Sequence, residues 1–360
     1  MATFNRRVGI IGLGFGAQVY LPAFRSEGWE VAAICSRSRD KATQVAEAAG
    51  VRDVHTDPLE LIARGDLDAV AVATPPRAHH ELSIAALKAG KHVLCEKPFA
   101  MDARQAVEMR DAADRSGRTA MVGHEFRFTP QRAYIKELVD GGYIGAFRLC
   151  TIELFLDRYV TSEPRPFTWL ALESEGGGLL GALGSHYFDG LRHWFGEVLS
   201  VTGRLDILRP DLLDPKTHAI VKAQTDDTFQ FTLEFERGGI ATMIASFAAT
   251  PTRGTKIVVM GERGSLTAEQ PGPNPMEDGV VIASRNGAPL EPLRTPEKYT
   301  PFTDLRDHRL MAFRLLVREF AKGIEQGSSP SPNFTDGLKA QEILDAVRTS
   351  SKSRRTVTLR

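Results

Sequence analysis

Glu96-Lys97-Pro98, the cluster Gly12-Leu13-Gly14-Phe15-Gly16-Ala17 and the stretch Gly176 to His186 are the parts of this chain best suited by residue type and spacing to chemistry. Lys97 directly follows the apolar run His92 to Cys95, at a strand end. An amine suits proton transfer if partial desolvation and a neighbouring cationic ring draw its pKa toward neutrality. It can then take a proton from a carbinol hydroxyl or return one to an alkoxide. An isolated lysine is by default a solvated surface charge; strand-end placement argues for more. Pro98 fixes the adjoining backbone. Glu96 has two readings, as an acceptor for a ribose hydroxyl or as the group that orients Lys97.

The glycine cluster follows the apolar run Val8 to Leu13 and fits G-x-G-x-x-(G/A). Gly12 permits a tight turn, Gly14 lets backbone approach a pyrophosphate, and Ala17 allows close helix–strand packing. The helix N-terminus supplies positive dipole for the anion. Alone the motif says little; at the start of a βαβ unit it carries weight. The second strand ends in Cys35-Ser36-Arg37-Ser38-Arg39, with no acidic residue before Asp40. A carboxylate there would repel a ribose 2′-phosphate, whereas Ser36, Arg37 and Arg39 suit one. NADP(H) is therefore the favoured cofactor and NAD(H) stays open, the bland alternative being that the arginines solvate a helix start. The glycines at 176–178 suggest close backbone approach to a cofactor or substrate. Asp189, three residues after His186, shares its helix face or merely packs and caps. His124, Glu125, Arg127, Asp157, Arg158 and Trp169 are candidate substrate contacts, with ordinary strand or loop roles as the alternative.

Elements that position these residues follow from the pattern. Apolar runs Val8–Leu13, Glu30–Cys35, Leu67–Ala73, His92–Cys95 and Thr119–Gly123 alternate with helical segments ending near Phe24, then Arg39–Ala49, His79–Ala89 and Met101–Ser116. Strands without period-two polarity, separated by helices, predict a doubly wound parallel sheet covered on both faces. Residues 1–123 form this expected Rossmann domain. In the remainder, 124–360, Phe147–Asp157 and Thr228–Phe235 partly alternate, Ile240–Ala248 follows the glycine pair 238–239 as a hairpin, and Lys256–Met260 and Ser265–Glu269 continue the meander. That predicts an α+β domain with an open, mostly antiparallel sheet. Pro271–Pro275 and Asn286–Pro292 read as loops, and Leu305–Ile324 and Thr335–Ser350 as amphipathic helices.

Ala73-Thr74-Pro75-Pro76, His79 and the string Ala89-Gly90-Lys91-His92-Val93-Leu94-Cys95-Glu96-Lys97-Pro98 closely resemble the glucose–fructose oxidoreductase / inositol dehydrogenase (Gfo/Idh/MocA) family. The resemblance continues through Phe126-Arg127-Phe128-Thr129-Pro130, Gly184-Ser185-His186 and Phe334-Thr335-Asp336-Gly337, and so covers nearly the whole chain. It implies a Rossmann domain, then an α/β domain whose first helix is Gln131–Asp140 and whose open sheet makes a homodimer or homotetramer. It implies hydride exchange between nicotinamide and a sugar, polyol or related substrate, with Thr74, Pro75 and His79 beside the cofactor and Lys97 as acid–base. His186 would stand over the reacting carbon. The family often has an Asp four residues before this His; here Ala182 stands there, which leaves Lys97 and His186 as a reduced set.

Two other readings follow from Ala182: a catalytically silent dinucleotide-binding regulator, or reduction of a diketone or imine. Hydrophobic residues make up 42% and charged residues 25%, and Lys plus Arg equals Asp plus Glu at 45 each. That balance fits a globular protein and gives no net charge for nucleic acid or an anionic membrane. Three cysteines without CxxC, and no export signal or apolar span, lead to the expectation of a cytoplasmic protein. The nine histidines show no metal-ligand spacing.

Overall fold

The structure is a computed structural model that describes residues 6–158, 165–274, 279–302 and 307–359. It divides into two compact units, Met1–Glu125 with Leu305–Gln341, and Phe126–Asp304 with Glu342–Arg360.

The first unit is built on six strands, β1 (Arg7–Ile11), β2 (Glu30–Cys35), β3 (Asp53–His55), β4 (Ala69–Val72), β5 (His92–Cys95) and β6 (Ala120–Val122). Every neighbouring pair is parallel and the order is β3-β2-β1-β4-β5-β6, the doubly wound Rossmann arrangement. Its central strands are buried on both faces, so Ile10, Ile34, Val70 and Val93 are inaccessible and no alternation is needed. Helix Arg39–Ala49 begins where Ser38 Oγ accepts the Lys41 N–H and stops at Gly50 with φ +61°. Asp102 caps Ala103–Ser116 in the same way, through the Gln105 N–H at 2.7 Å. The helical segment after the glycine turn opens with a wide π-type turn, Gly16–Tyr20, and continues over Leu21–Ser26, beyond its expected end at Phe24. β3 went unread because it is a three-residue edge strand, half-buried throughout, with no apolar run to betray it.

The expected helix start at Leu305 lies outside the described residues; the helix itself spans Arg309–Gln326. Its Phe313 packs on Tyr20 with ring centroids 4.3 Å apart, and Phe320 stacks on Trp29 at 5.9 Å. These aromatic contacts tie this late segment to the first unit.

In the second unit a nine-stranded sheet runs in the order 291–293, 280–285, 264–270, 254–261, 147–155, 240–246, 228–235, 198–206, 357–358. All neighbours are antiparallel except Phe147–Phe155 and Ile240–Ser246. Along Thr228–Phe235 the inner residues Phe229, Phe231, Leu233 and Phe235 are buried while Gln230 and Glu234 are exposed. Helix Ser185–Phe195 covers that inner face, Phe188 meeting Phe231 at 4.8 Å. Asn286–Pro292, expected as loop, contributes to strand Glu291–Leu293, which pairs at the sheet edge where a proline is tolerated. Pro275, at the end of the other expected loop, is outside the described residues. Among the described residues no helix is long and apolar enough to cross a membrane.

Candidate active site

At the glycine turn the three glycines meet different surroundings. Gly12 has φ +99°, and a Cβ there would run into the Ala73 carbonyl; its N–H donates to Cys35 O at 2.9 Å. At Gly16 a Cβ would press on Ile10 Cγ2 and Ala73 Cβ, at 3.1 and 3.2 Å. Gly14 is different: nothing stands within 4 Å of its would-be Cβ, so no neighbouring protein atom demands a glycine there. Open space at the head of a helix is what an approaching phosphate requires. Phe15 packs edge-on against Tyr20 and Phe313, with the Arg309 guanidinium 5.6 Å from its ring centroid, and Ala17 is half-buried.

Two further features of this edge fit a dinucleotide. Thr74 Oγ1, just beyond β4, is buried with no hydrogen-bond partner, a state usually relieved by a ligand or water. Beyond β2, Ser36 Oγ accepts the Ser38 N–H at 3.3 Å, while Arg37 and Arg39 are exposed and form no ion pair among the described residues. Pro75 leads into the short turn Pro76–Ala78.

Glu96 is 5% exposed and has both oxygens engaged from within the unit. Tyr20 Oη donates to Oε1 at 3.1 Å and the Lys97 N–H donates to Oε2 at 3.0 Å. Burial pushes the carboxyl pKa up, against the opposing pull of the Lys97 charge. Burial likewise raises the Tyr20 phenol, helped by Glu96. Gly123 completes this packing, because a Cβ there would come within 2.7 Å of Glu96 Oε1. Of the two sequence readings, these contacts favour Glu96 as the group that fixes the Lys97 backbone. Lys97 itself is half-buried, and its peptide to Pro98 is cis. His79 is fully buried with both ring nitrogens against main-chain carbonyls. His124 and Glu125, after β6, are buried too.

Within the second unit, His186 is 3% exposed on helix Ser185–Phe195 and lies flat against Phe126, centroids 3.7 Å apart and planes within 5°. The Arg132 guanidinium stands 4.5 Å from the Phe126 ring and 5.1 Å from that of Tyr187. The cavity among these residues measures about 10 Å³, room for one water at most. Asp189 does not pair with His186. Both of its oxygens are taken by Arg127, Oδ2 by Nε at 2.5 Å and Oδ1 by Nη2 at 2.6 Å, in a fully buried bidentate pair.

The glycine stretch before His186 corrects one expectation. A Cβ at Gly177 would strike the Leu170 carbonyl, and one at Gly178 (φ +108°) would strike Asp226 Oδ1. These glycines accommodate the chain's own backbone and a carboxylate, which accounts for them without a ligand. Asp226 was missed by sequence reasoning because nothing local marks it. Its Oδ2 accepts the Leu180 N–H at 2.7 Å, capping from a loop distant in sequence a helical segment whose own Leu179 cannot. Burial pushes its pKa up to about 6 despite that hydrogen bond. Ala182 lies in the wide first turn, Leu180–Gly184, its N–H bonded to Gly178 O. Asp157 is exposed and bonds the Thr252 hydroxyl, which lowers its pKa; Arg158 donates to Pro273 O; Trp169 is 37% exposed in a short turn.

Comparison with known proteins is consistent with this geometry. The model described as "Oxidoreductase family, NAD-binding Rossmann fold" matches residues 6–124, and that described as "Oxidoreductase family, C-terminal alpha/beta domain" matches residues 136–359. An uncharacterized oxidoreductase of Synechocystis is 29% identical over 361 residues, spanning 98% of this chain and 96% of its own. Levoglucosan dehydrogenase of Pseudarthrobacter phenanthrenivorans is 26% identical over 95% of each chain. A levoglucosan dehydrogenase solved with NADH and L-sorbose shares the fold, with a TM-score of 0.89 over 99% of each chain at 24% identity.

Proposed function

The chain belongs to the Gfo/Idh/MocA family of NAD-binding oxidoreductases, and from that premise we propose that it is a dehydrogenase or reductase acting on a carbinol or carbonyl of a sugar, polyol or related small molecule. The observation that carries this reading is Lys97 at the carboxyl end of β5, its backbone held by Glu96, which Tyr20 in turn holds, on the same sheet edge as an open glycine turn. A relative that oxidises an anhydrosugar supports the substrate class.

Gly12, Gly14, Phe15, Gly16 and Ala17 would hold the pyrophosphate, Thr74 and Pro75 the nicotinamide half, and Ser36, Arg37 and Arg39 the adenosine ribose. When bound, the nicotinamide accepts or supplies the hydride. Lys97 takes the carbinol proton during oxidation and returns it to the nascent alkoxide during reduction. Glu96 holds the lysine backbone. His186 orients the substrate hydroxyl or relays its proton. Because the two arginines form no ion pair among the described residues and no carboxylate follows β2 before Asp40, the preferred cofactor is NADP(H); relatives solved with NADH keep NAD(H) as the competing outcome. We place the protein in the cytoplasm as a homo-oligomer built through the open sheet.

The test is a panel of sugars, anhydrosugars, polyols and their carbonyl forms with each cofactor, followed at the absorbance of reduced nicotinamide. Turnover of at least one member is expected. Tight dinucleotide binding with no hydride exchange across the panel, together with a protein partner, would establish instead the regulator reading that Ala182 favours.

A further inference from the structure

His79 opens helix His79–Lys88 and is fully enclosed, yet both ring nitrogens meet main-chain oxygens. Nδ1 stands 3.0 Å from Pro98 O, and Nε2 stands 2.8 Å from Thr74 O. Those carbonyls belong to the two loops that leave the paired strands β4 and β5. An imidazole has only two polar atoms. With both engaged by backbone, His79 offers none to a bound dinucleotide, which departs from the cofactor contact that its place in the sequence motif implies.

We propose that His79 is a positioning residue: a strut between the Thr74-Pro75 loop and the Lys97-Pro98 loop that sets where the Lys97 amine stands. The inference rests on the proposed role of Lys97 in proton transfer. Burial lowers the His79 pKa and the Lys97 charge lowers it further, against the pull of the Thr74, Pro98 and Phe99 carbonyls. Each ring N–H donates to one carbonyl, so a neutral ring ties one loop at a time and a protonated ring ties both. Deleting the brace frees the loop that carries Lys97, and displacement of a catalytic group by about 1 Å can cost about a hundredfold in rate.

Two conservative variants separate the halves of the strut. In His79→Asn the amide nitrogen occupies the place of Nδ1 and keeps the Pro98 tie. In His79→Gln it reaches the place of Nε2 and keeps only the Thr74 tie. We expect His79→Gln to lower kcat about tenfold or more while the cofactor Kd stays within about twofold, and His79→Asn to recover most of that loss. A second readout needs no turnover: acetylation of Lys97 by acetic anhydride, measured by mass spectrometry relative to exposed Lys216, with and without dinucleotide. His79→Gln should change that ratio about threefold or more and His79→Asn should leave it near wild type. If wild type turns over no substrate, the proposed function fails while the labelling comparison still decides the strut. A weakened cofactor Kd with unchanged Lys97 labelling would make His79 a cofactor ligand. Equal losses of Tm in both variants, with kcat and labelling unchanged, would make it a structural residue only. Either result overturns the proposal.

Discussion

At the scale of single residues, the proposed chemistry rests on Lys97, whose backbone is held by its neighbours. Glu96 spends one oxygen on Tyr20 and one on the Lys97 N–H, so the backbone that carries the amine is fixed from the buried side. Lys97→Met should lower kcat by about 10²–10⁴ while leaving dinucleotide affinity within a few fold, as expected for loss of an acid–base group. Steady-state rates and cofactor titrations measure both quantities; near-normal turnover would end the assignment. Arg37 and Arg39 allow a second test. Removing one charge-assisted phosphate contact costs about 1.5–3 kcal/mol. Arg37→Ala should therefore weaken NADPH about tenfold or more and leave NADH unchanged, and equal effects on both would refute the 2′-phosphate reading.

At the scale of elements, two carboxylates that meet the helical segment running through Ser185–Phe195 behave differently. Asp189 lies within the helix and is clamped by Arg127. Breaking such a pair from one side strands a buried charge and costs about 3–5 kcal/mol. Asp189→Leu should lower Tm steeply, and the double variant with Arg127→Met should recover much of the loss; recovery would mark the pair as architectural. Asp226 approaches the start of the same helical segment from outside, with its pKa pushed up to about 6. A carboxyl whose folded pKa lies above its unfolded value holds its proton longer in the native state. Its contribution to stability is complete below about pH 4 and is lost as pH rises toward 6, by on the order of 2 kcal/mol after solvent screening. Asp226→Asn keeps an oxygen for the Leu180 N–H and removes the titration. Its Tm should show a flatter dependence between pH 4 and 6 than wild type, and parallel curves would show that Asp226 does not titrate there.

At the scale of the molecule, the first unit binds dinucleotide and the second supplies a large sheet with an open face. A ligand that binds only the native state stabilises it by about 2.7 kcal/mol at a hundredfold excess over Kd. Thermal shifts with NADP(H) and NAD(H) should therefore rank the two cofactors before any substrate is known. Much of this was written in the sequence. Glu30–Cys35, Arg39–Ala49, His92–Cys95 and Thr228–Phe235 match their expected bounds, because buried parallel strands, capped helices and two-faced strands each leave a local periodicity. The glycine turn and the Lys97 strand end were legible for the same reason: a tight turn and a strand terminus are local events. Structure alone decided what depends on distant partners. The edge strands β3 and Glu291–Leu293 have no apolar run of their own and exist through pairing. Asp226 caps a helical segment from a remote loop, Gly177 and Gly178 are required by other segments of chain, and His79 meets two carbonyls at once. Each of these is fixed by atoms far away in sequence, so local pattern carries no trace of it. Lys97 was placed by its neighbours in sequence; what holds it in place came from the fold.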